Sequence, residues 1–431
     1  MDASDQKVVT LASMRQPSST AGESEEAIRA GAPRAEVDRA LYGRVVRQLQ
    51  EATDEAGASD VLVTAPDREV SLAQSLLAEG GIETKPLDSG GQEVQFGTGV
   101  TGFDWFRWMW SLTDRVRRKD AHPLVRPPHP VADRLTGDLA VAMTADWATG
   151  LYGAPRIADT IRTMAGDRPF DLLMHLGDVY YSGTPEEVEQ RFLPLWPLAA
   201  GRLNRALNAN HDMYSGGFGY FERILPKFRQ SGSYFAVQNE HWLLVGLDTA
   251  YVDHDMDAKQ VEWLNDLLRQ DDVQGRKVVL FSHQQPFSRL GSQGPKLQSA
   301  LGHLLGRQAV TAWYWGHEHQ CVIYDLHEEW GMYGRCLGNG GVPEPRKAEV
   351  KDAPADERHP GAGECTWRRL GPTPGVPGCI VLDGPNRDMA KPVHQRRFGP
   401  HGFMTLQFTG PELVERVHLS DGTELFRNTI S

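Results

Sequence analysis

Residue types able to bind metal ions and move protons recur in five short clusters along the chain: Thr144-Ala-Asp146-Trp-Ala148, Leu176-Gly-Asp178-Val-Tyr-Tyr181, Ala209-Asn210-His211-Asp212, Phe281-Ser-His283 and Gly316-His317-Glu-His319. Carboxylate, imidazole and amide oxygen together suit borderline-hard ions such as iron, zinc or manganese, and no thiolate is needed. One aspartate has two oxygens, enough to bridge a pair of ions about 3.5–4 Å apart. Two histidines separated by one residue, as in His317-Glu-His319, can address neighbouring ions from one turn. A lone histidine of this kind is ordinarily a hydrogen-bonded structural residue. The ordered series of all five is what points to a metal site.

The elements that must position these clusters are short apolar runs, each ending in polar residues. They are Leu139-Ala-Val-Ala-Met, Leu172-Leu-Met-His-Leu, Trp242-Leu-Leu-Val-Gly-Leu, Val278-Val-Leu-Phe and Val310-Thr-Ala-Trp-Tyr. Such runs predict strands buried on both faces, separated by helical stretches such as residues 260–269. Open α/β sheets place their chemistry just beyond the strand ends, which is where the clusters lie.

The series resembles the motifs of the calcineurin-like metallophosphoesterase superfamily: Asp-x-His or Asp-x-Gly, Gly-Asp, Gly-Asn-His-Glu/Asp, a histidine near a strand end, then Gly-His-x-His. The resemblance runs from about Leu139 to Cys321, and Gln260-Val-Glu-Trp263-Leu264 is similar to a helix common there. Two departures resemble the purple acid phosphatase branch. Ala148 stands where many members carry a metal-binding histidine, and Tyr181 stands where that branch carries a tyrosinate, with Tyr180 as the alternative. Ala209 replaces the usual glycine before Asn210.

The resemblance implies an α/β fold, a four-layer α/β/β/α sandwich with an N-terminal α/β extension. It implies a dinuclear-metal hydrolase of phosphate monoesters or diesters that uses a metal-bound hydroxide. Asp146, Tyr181 and His319 would hold one ion, Asn210, His283 and His317 the other, and Asp178 would bridge them. The phenolate favours Fe3+ at the first position, with Zn2+, Fe2+ or Mn2+ at the second. His211 would be the general acid for the leaving group, oriented by Asp212. The alternatives are manganese or zinc at both positions with Tyr181 uninvolved, or a catalytically weak metal-binding scaffold, for which Ala148 is the motive.

The rest of the chain divides by texture. Residues 1–35 read as a flexible leader, and residues 36–130 as an N-terminal α/β module of unknown role. That module is expected to hold a helix from about Ala35 to Asp54, a strand at 60–65, a helix capped by Asp67 and an aromatic helix at 103–112. Residues 131–431 read as the catalytic domain, interrupted at about 342–400 by a Pro/Gly-rich insertion expected to be a lid or a disordered loop. Residues 402–426 alternate as one or two closing strands, with Asp421-Gly422 as a turn.

Of 431 residues, 40% are hydrophobic and the formal net charge is -12, which disfavours broad nucleic-acid binding. The four cysteines form no CxxC pair and read as free thiols in a reducing compartment. The sequence offers neither a signal peptide nor a membrane span, so a cytoplasmic enzyme acting on a phosphoester small molecule or phosphorylated substrate is expected.

Overall fold

A computed structural model describes residues 120–352 and 365–431 throughout, residues 67–80, most of 45–64, and three short strands nearer the N-terminus. Two large sheets lie face to face. The nine-stranded sheet runs in the order Thr366–Leu370, Cys379–Asp383, Cys321–His327, Met332–Leu337, Val310–Trp315, Lys277–Ser282, Trp242–Gly246, Phe235–Gln238 and Asp133–Arg134. The six-stranded sheet runs Glu424–Ile430, Glu412–Leu419, Gly402–Thr409, Leu139–Thr144, Phe170–His175 and Gly201–Ala206. Every one of the five apolar runs is a strand.

Alternation within these runs builds the layers. Leu139, Val141 and Met143 point between the sheets, where they meet Met404, Leu406 and Phe408, together with Val279 and Phe281 of the opposite sheet. Their neighbour Ala142 faces the other way, onto Ile157, Ala158 and Ile161 of helix Gly153–Ala165. On the far side, Val278 and Leu280 pack on Leu264 and Leu267 of helix Ala258–Leu268. A period of two thus serves both faces of each sheet, giving helix, sheet, sheet, helix, the expected α/β/β/α sandwich.

One polar contact crosses the apolar middle. Arg335 Nε lies 3.0 Å from both carboxylate oxygens of Glu415, which joins strand Met332–Leu337 to strand Glu412–Leu419 of the other sheet. Tyr314 Oη and Asn428 Nδ2 donate to the same carboxylate at 3.0 and 2.9 Å. Every oxygen lone pair has a use, which is the condition under which a buried ion pair is tolerated.

The insertion is not a structureless loop. Strands Thr366–Leu370 and Cys379–Asp383 form an antiparallel pair that extends the nine-stranded sheet, and helices Ala348–Asp352 and Pro392–Arg397 flank it. Proline and glycine mark its turns, and the apolar Cys-Ile-Val-Leu run between them is too short to stand out against them. The closing segment holds three strands instead of one or two, with Gly422 at φ 88° in the last turn.

Nearer the N-terminus, helix Arg68–Gly80 starts as expected, with Asp67 Oδ1 accepting from the amides of Glu69 and Val70 at 2.8 and 3.2 Å. The described positions between 45 and 56 are helical. Two expectations are corrected. Residues 60–62 form a turn and bend instead of a strand, and the Leu62 amide is taken by the sandwich, donating to Tyr152 Oη at 3.0 Å. Lys7–Val9, inside the expected flexible leader, pairs in parallel with Gly91–Gln95, which also pairs antiparallel with Glu83–Leu87. The expected aromatic helix at 103–112 lies outside the described residues. All four cysteines are buried free thiols.

Two outcomes follow from the packing. Glu415→Ala leaves the Arg335 guanidinium buried without its anion and should cost about 3–5 kcal/mol in denaturant unfolding, with Arg335→Met/Glu415→Leu recovering much of it. His175 is buried among Trp147, Phe192 and Trp196, and burial pushes its pKa down from 6.5 to about 3. The folded chain therefore refuses a proton that the unfolded chain binds below pH 6.5. Stability should fall by about 1.4 kcal/mol per pH unit as pH drops through that window. His175→Leu should flatten that slope between pH 6 and about 4, as read by urea titration at each pH.

Candidate metal centre

The clusters follow strand ends and converge. Asp146 comes just after Leu139–Thr144, Asp178 after Phe170–His175, Asn210 and His211 after Gly201–Ala206, His283 directly after Lys277–Ser282, and His317 after Val310–Trp315. The chain must turn sharply at these points to aim side chains inward. Asp146, Asp178 and His317 have φ values of 54°, 74° and 67°, a left-handed conformation uncommon for residues with a Cβ. Gly316 is needed for contact: a Cβ there would meet Asp146 Oδ2 at 2.8 Å.

Ligand atoms fall into two groups, each within 4.8 Å of one another: Asp178, His283 and His317 in the first, Asp146, Asp178 and His319 in the second. Asp178 belongs to both. In the first group, His283 Nδ1 donates to the Leu176 carbonyl at 2.9 Å, so a neutral ring carries its lone pair on Nε2. That nitrogen faces Asn210 Oδ1 at 3.0 Å and Asp178 Oδ2 at 3.4 Å. The Asn210 amide is oriented by its own donation to Tyr214 Oη at 3.1 Å. Three lone pairs therefore look at one another with no proton between them, an arrangement that a cation satisfies. In the second group, His319 Nε2 lies 3.5 Å from Asp146 Oδ1, a buried oxygen with no hydrogen-bond partner. His317 Nδ1 is likewise buried without one. These orphaned atoms and this donor set fit metal ions.

The phenol that reaches the cluster is Tyr180's. Its hydroxyl donates to Asp178 Oδ2 at 2.9 Å and lies 2.7 Å from His319 Nε2. Tyr181, the residue selected by spacing, turns its ring to the Arg191 guanidinium, 5.4 Å from the ring centre. Spacing could not decide between adjacent tyrosines, since one step in an irregular loop reverses the direction of the side chain. Asp212 also departs from expectation. His211 Nδ1 donates to the Tyr181 carbonyl at 2.6 Å, while Asp212 Oδ2 accepts from the Asp178 amide at 3.3 Å. Asp212 thus holds the backbone of Asp178, and a carbonyl orients the His211 imidazole.

The electrostatics carry the mark of a site built around positive charge. Burial and the neighbouring Asp178 charge push the Asp146 carboxyl well above the usual carboxylate range. Burial and both carboxylates push the Tyr180 phenol up as well. Burial pushes His317 and His211 down, towards the neutral, lone-pair-bearing form. For Asp178 burial acts upward but is outweighed by the positive charge that His283 and His211 carry when protonated, which holds it well below the usual range. A dication between these groups would reverse the upward shifts and favour the anionic donors.

Several supporting residues were missed in the sequence. Glu344, from the insertion, places Oε2 3.5 Å from His319 Nδ1, so that Nε2 faces the cluster. Its only sequence signal is a lone carboxylate in Val342-Pro-Glu-Pro-Arg. His254 stands with its ring 5.4 Å from that of His317. Glu187 cradles the loop between Asp178 and Thr184. Its carboxylate accepts from the amides of Tyr181, Ser182 and Thr184 at 2.7, 3.0 and 3.2 Å, and from Ser75 Oγ at 3.0 Å. Ser75 lies on helix Arg68–Gly80 and also meets Ser182 Oγ at 2.6 Å. The Thr184-x-x-Glu187 capping box was the available signal.

Residues 135–321 match the family model described as calcineurin-like phosphoesterase. No curated protein matches the sequence. Among solved structures, a purple acid phosphatase from yellow lupin (Lupinus luteus) is similar at 15% identity and TM-score 0.49. That match covers 69% of this chain, which spans only 54% of the lupin chain. A dimetal phosphatase from Danio rerio is similar at 13% identity and TM-score 0.41, covering 68% of this chain and 98% of that one. The anchor in the inner membrane complex of Plasmodium is similar at 11% identity and TM-score 0.45, covering 68% and 89%. Among the described residues no helix is long and apolar enough to cross a membrane.

Removal of the Glu187 carboxylate strands three amides and takes an anion from beside the Arg191 guanidinium, 3.4 Å away, which keeps its donation to the Tyr180 carbonyl. Glu187→Ala should cost about 3–5 kcal/mol in denaturant unfolding and weaken metal retention in dialysis against a chelator. Ser75→Ala should cost about 1 kcal/mol.

Proposed function

We propose, from the match of residues 135–321 to the calcineurin-like phosphoesterase model, that the protein is a dinuclear metal-dependent hydrolase of phosphate esters. The observation that carries the dinuclear reading is the membership of Asp178 in both ligand groups. A second position would be filled out by Asn210, His283 and His317, and a first by Asp146, His319 and Tyr180. An anionic phenolate beside a carboxylate and an imidazole suits Fe3+ at the first position, and the imidazole-rich second position suits Zn2+, Fe2+ or Mn2+.

Two bound ions would lower the pKa of a water for in-line attack on phosphorus and neutralise charge on the phosphoryl oxygens. The chain's own residues do the rest. His211 commits Nδ1 to the Tyr181 carbonyl, which leaves Nε2 for the substrate. Burial lowers the pKa of this imidazole, and the negative charge of a bound phosphoryl group opposes that fall. In the protonated form it delivers the proton that the leaving alkoxide needs as its bond to phosphorus breaks. Asp212, through the Asp178 amide, fixes the bridging carboxylate, and Glu344 fixes His319.

The decisive experiment compares the two tyrosines. Iron-loaded protein should show a broad visible band from phenolate-to-iron charge transfer and should hydrolyse a generic aryl phosphate. Tyr180→Phe should abolish the band, whereas Tyr181→Phe should leave its position unchanged. Asp178→Ala should halve bound metal or remove it and lower kcat by at least about 10³-fold, of the order that loss of transition-state charge stabilisation produces. Persistence of full metal content and turnover in Asp178→Ala would contradict the assignment.

A further inference from the structure

A cavity of about 270 Å³ opens over the ligand cluster. Its floor is the metal-binding side chains with Tyr180 and His211, and its two walls come from parts of the chain that the phosphoesterase match does not cover. One wall is N-terminal and carries Ala56, Leu62 and Thr64; the other is the turn with Pro343, Glu344 and Pro345.

Both walls are anchored to one short helix, Pro392–Arg397. The Arg397 guanidinium donates to the Glu55 carbonyl at 2.9 Å, and the Arg397 carbonyl accepts from the Arg346 amide at 2.9 Å. Asp60 is paired with Lys391 and with His394, the latter at 3.1 Å, at the start and middle of that helix. Leu62 N is tied to Tyr152 Oη on the sandwich. The gap between the walls is therefore set by fixed contacts on both sides.

We propose that the segment carrying Ala56, Leu62 and Thr64 is the leaving-group wall of the active site, selecting with Pro343 and Pro345 for monoesters of compact, largely apolar alcohols. This rests on the phosphoesterase reading above. The volume supports it, lying just under the roughly 300–1,000 Å³ of ordinary small-molecule pockets, with part of it taken by the phosphoryl group. Chemistry supports it too. The walls contribute the apolar groups of Ala56, Leu62, Pro343 and Pro345, and no lysine or arginine is among the described residues lining the cavity. Glu55 lines the same cavity. A leaving group bearing further phosphates or a carboxylate meets this carboxylate on a wall that offers it neither lysine nor arginine. In the reaction the bond from phosphorus to the alcohol oxygen breaks, water oxygen bonds to phosphorus, and the released alcohol leaves between the walls.

The test is kcat/KM of the metal-loaded full chain on methyl, phenyl, biphenyl-4-yl and 4-carboxyphenyl phosphate. Wild type should favour phenyl over 4-carboxyphenyl phosphate. Thr64→Phe, at a half-buried position, should lower the biphenyl-to-methyl ratio at least tenfold, and Leu62→Ala should raise it. Inhibition by methylphosphonate and phenylphosphonate gives the same comparison through binding, and serves if a variant loses turnover. Ratios that stay within twofold of wild type in both variants, by turnover and by inhibition, overturn the wall alone. Wild-type protein that holds metal and hydrolyses diphenyl phosphate but none of the four monoesters overturns the wall alone, and one that hydrolyses neither class overturns the phosphoesterase reading and the wall together.

Discussion

Two carboxylates, Asp146 and Asp178, share one dry pocket at the carboxyl ends of two neighbouring strands. Burial penalises charge on each, and the charge of Asp178 pushes the Asp146 carboxyl up further. A protonated imidazole would relieve Asp178, but His283 in its neutral form turns a lone pair towards it. Anionic and lone-pair donors held together at this depth are unfavourable until positive charge arrives. Much of the surrounding structure serves to keep them together: left-handed backbone at Asp146, Asp178 and His317, the Glu187 cradle, and Asp212 under the Asp178 amide.

The sandwich supplies the rigidity this requires. The candidate ligands arrive from both sheets, Asp146, Asp178 and Asn210 from one and His283, His317 and His319 from the other, so any slip between sheets would separate them. Apolar packing alone is non-directional and permits sliding. The Arg335–Glu415 pair is directional and spans the two layers. Gln260 works similarly at the outer face, with its amide clamping Asp248 at the end of strand Trp242–Gly246 by two contacts of 2.8 Å.

What could be read in the sequence was whatever repeats a period or concentrates chemistry. The runs at 139–143 and 278–281 announce strands because alternation fills two cores at once. Asp146, Asp178, Asn210, His283, His317 and His319 stand out because six potential ligands follow strand ends in order. Irregular backbone hid the rest. The choice of Tyr180 over Tyr181 depends on loop dihedrals, which leave no trace in spacing. Residues 379–383 were hidden by the prolines and glycines around them. Glu344 and Glu187 act through partners distant in the chain, and a single carboxylate in a polar stretch carries no signal of that kind.

The Ser75–Ser182–Glu187 contact bears on how the chain could be divided. One carboxylate serves at once as helix cap, as acceptor for the loop beneath the candidate ligands, and as the docking point of a helix more than a hundred positions earlier. A change at any of the three alters the other two, which ties helix Arg68–Gly80 to the sandwich. Recombination that exchanged one for a foreign counterpart would strand a buried anion.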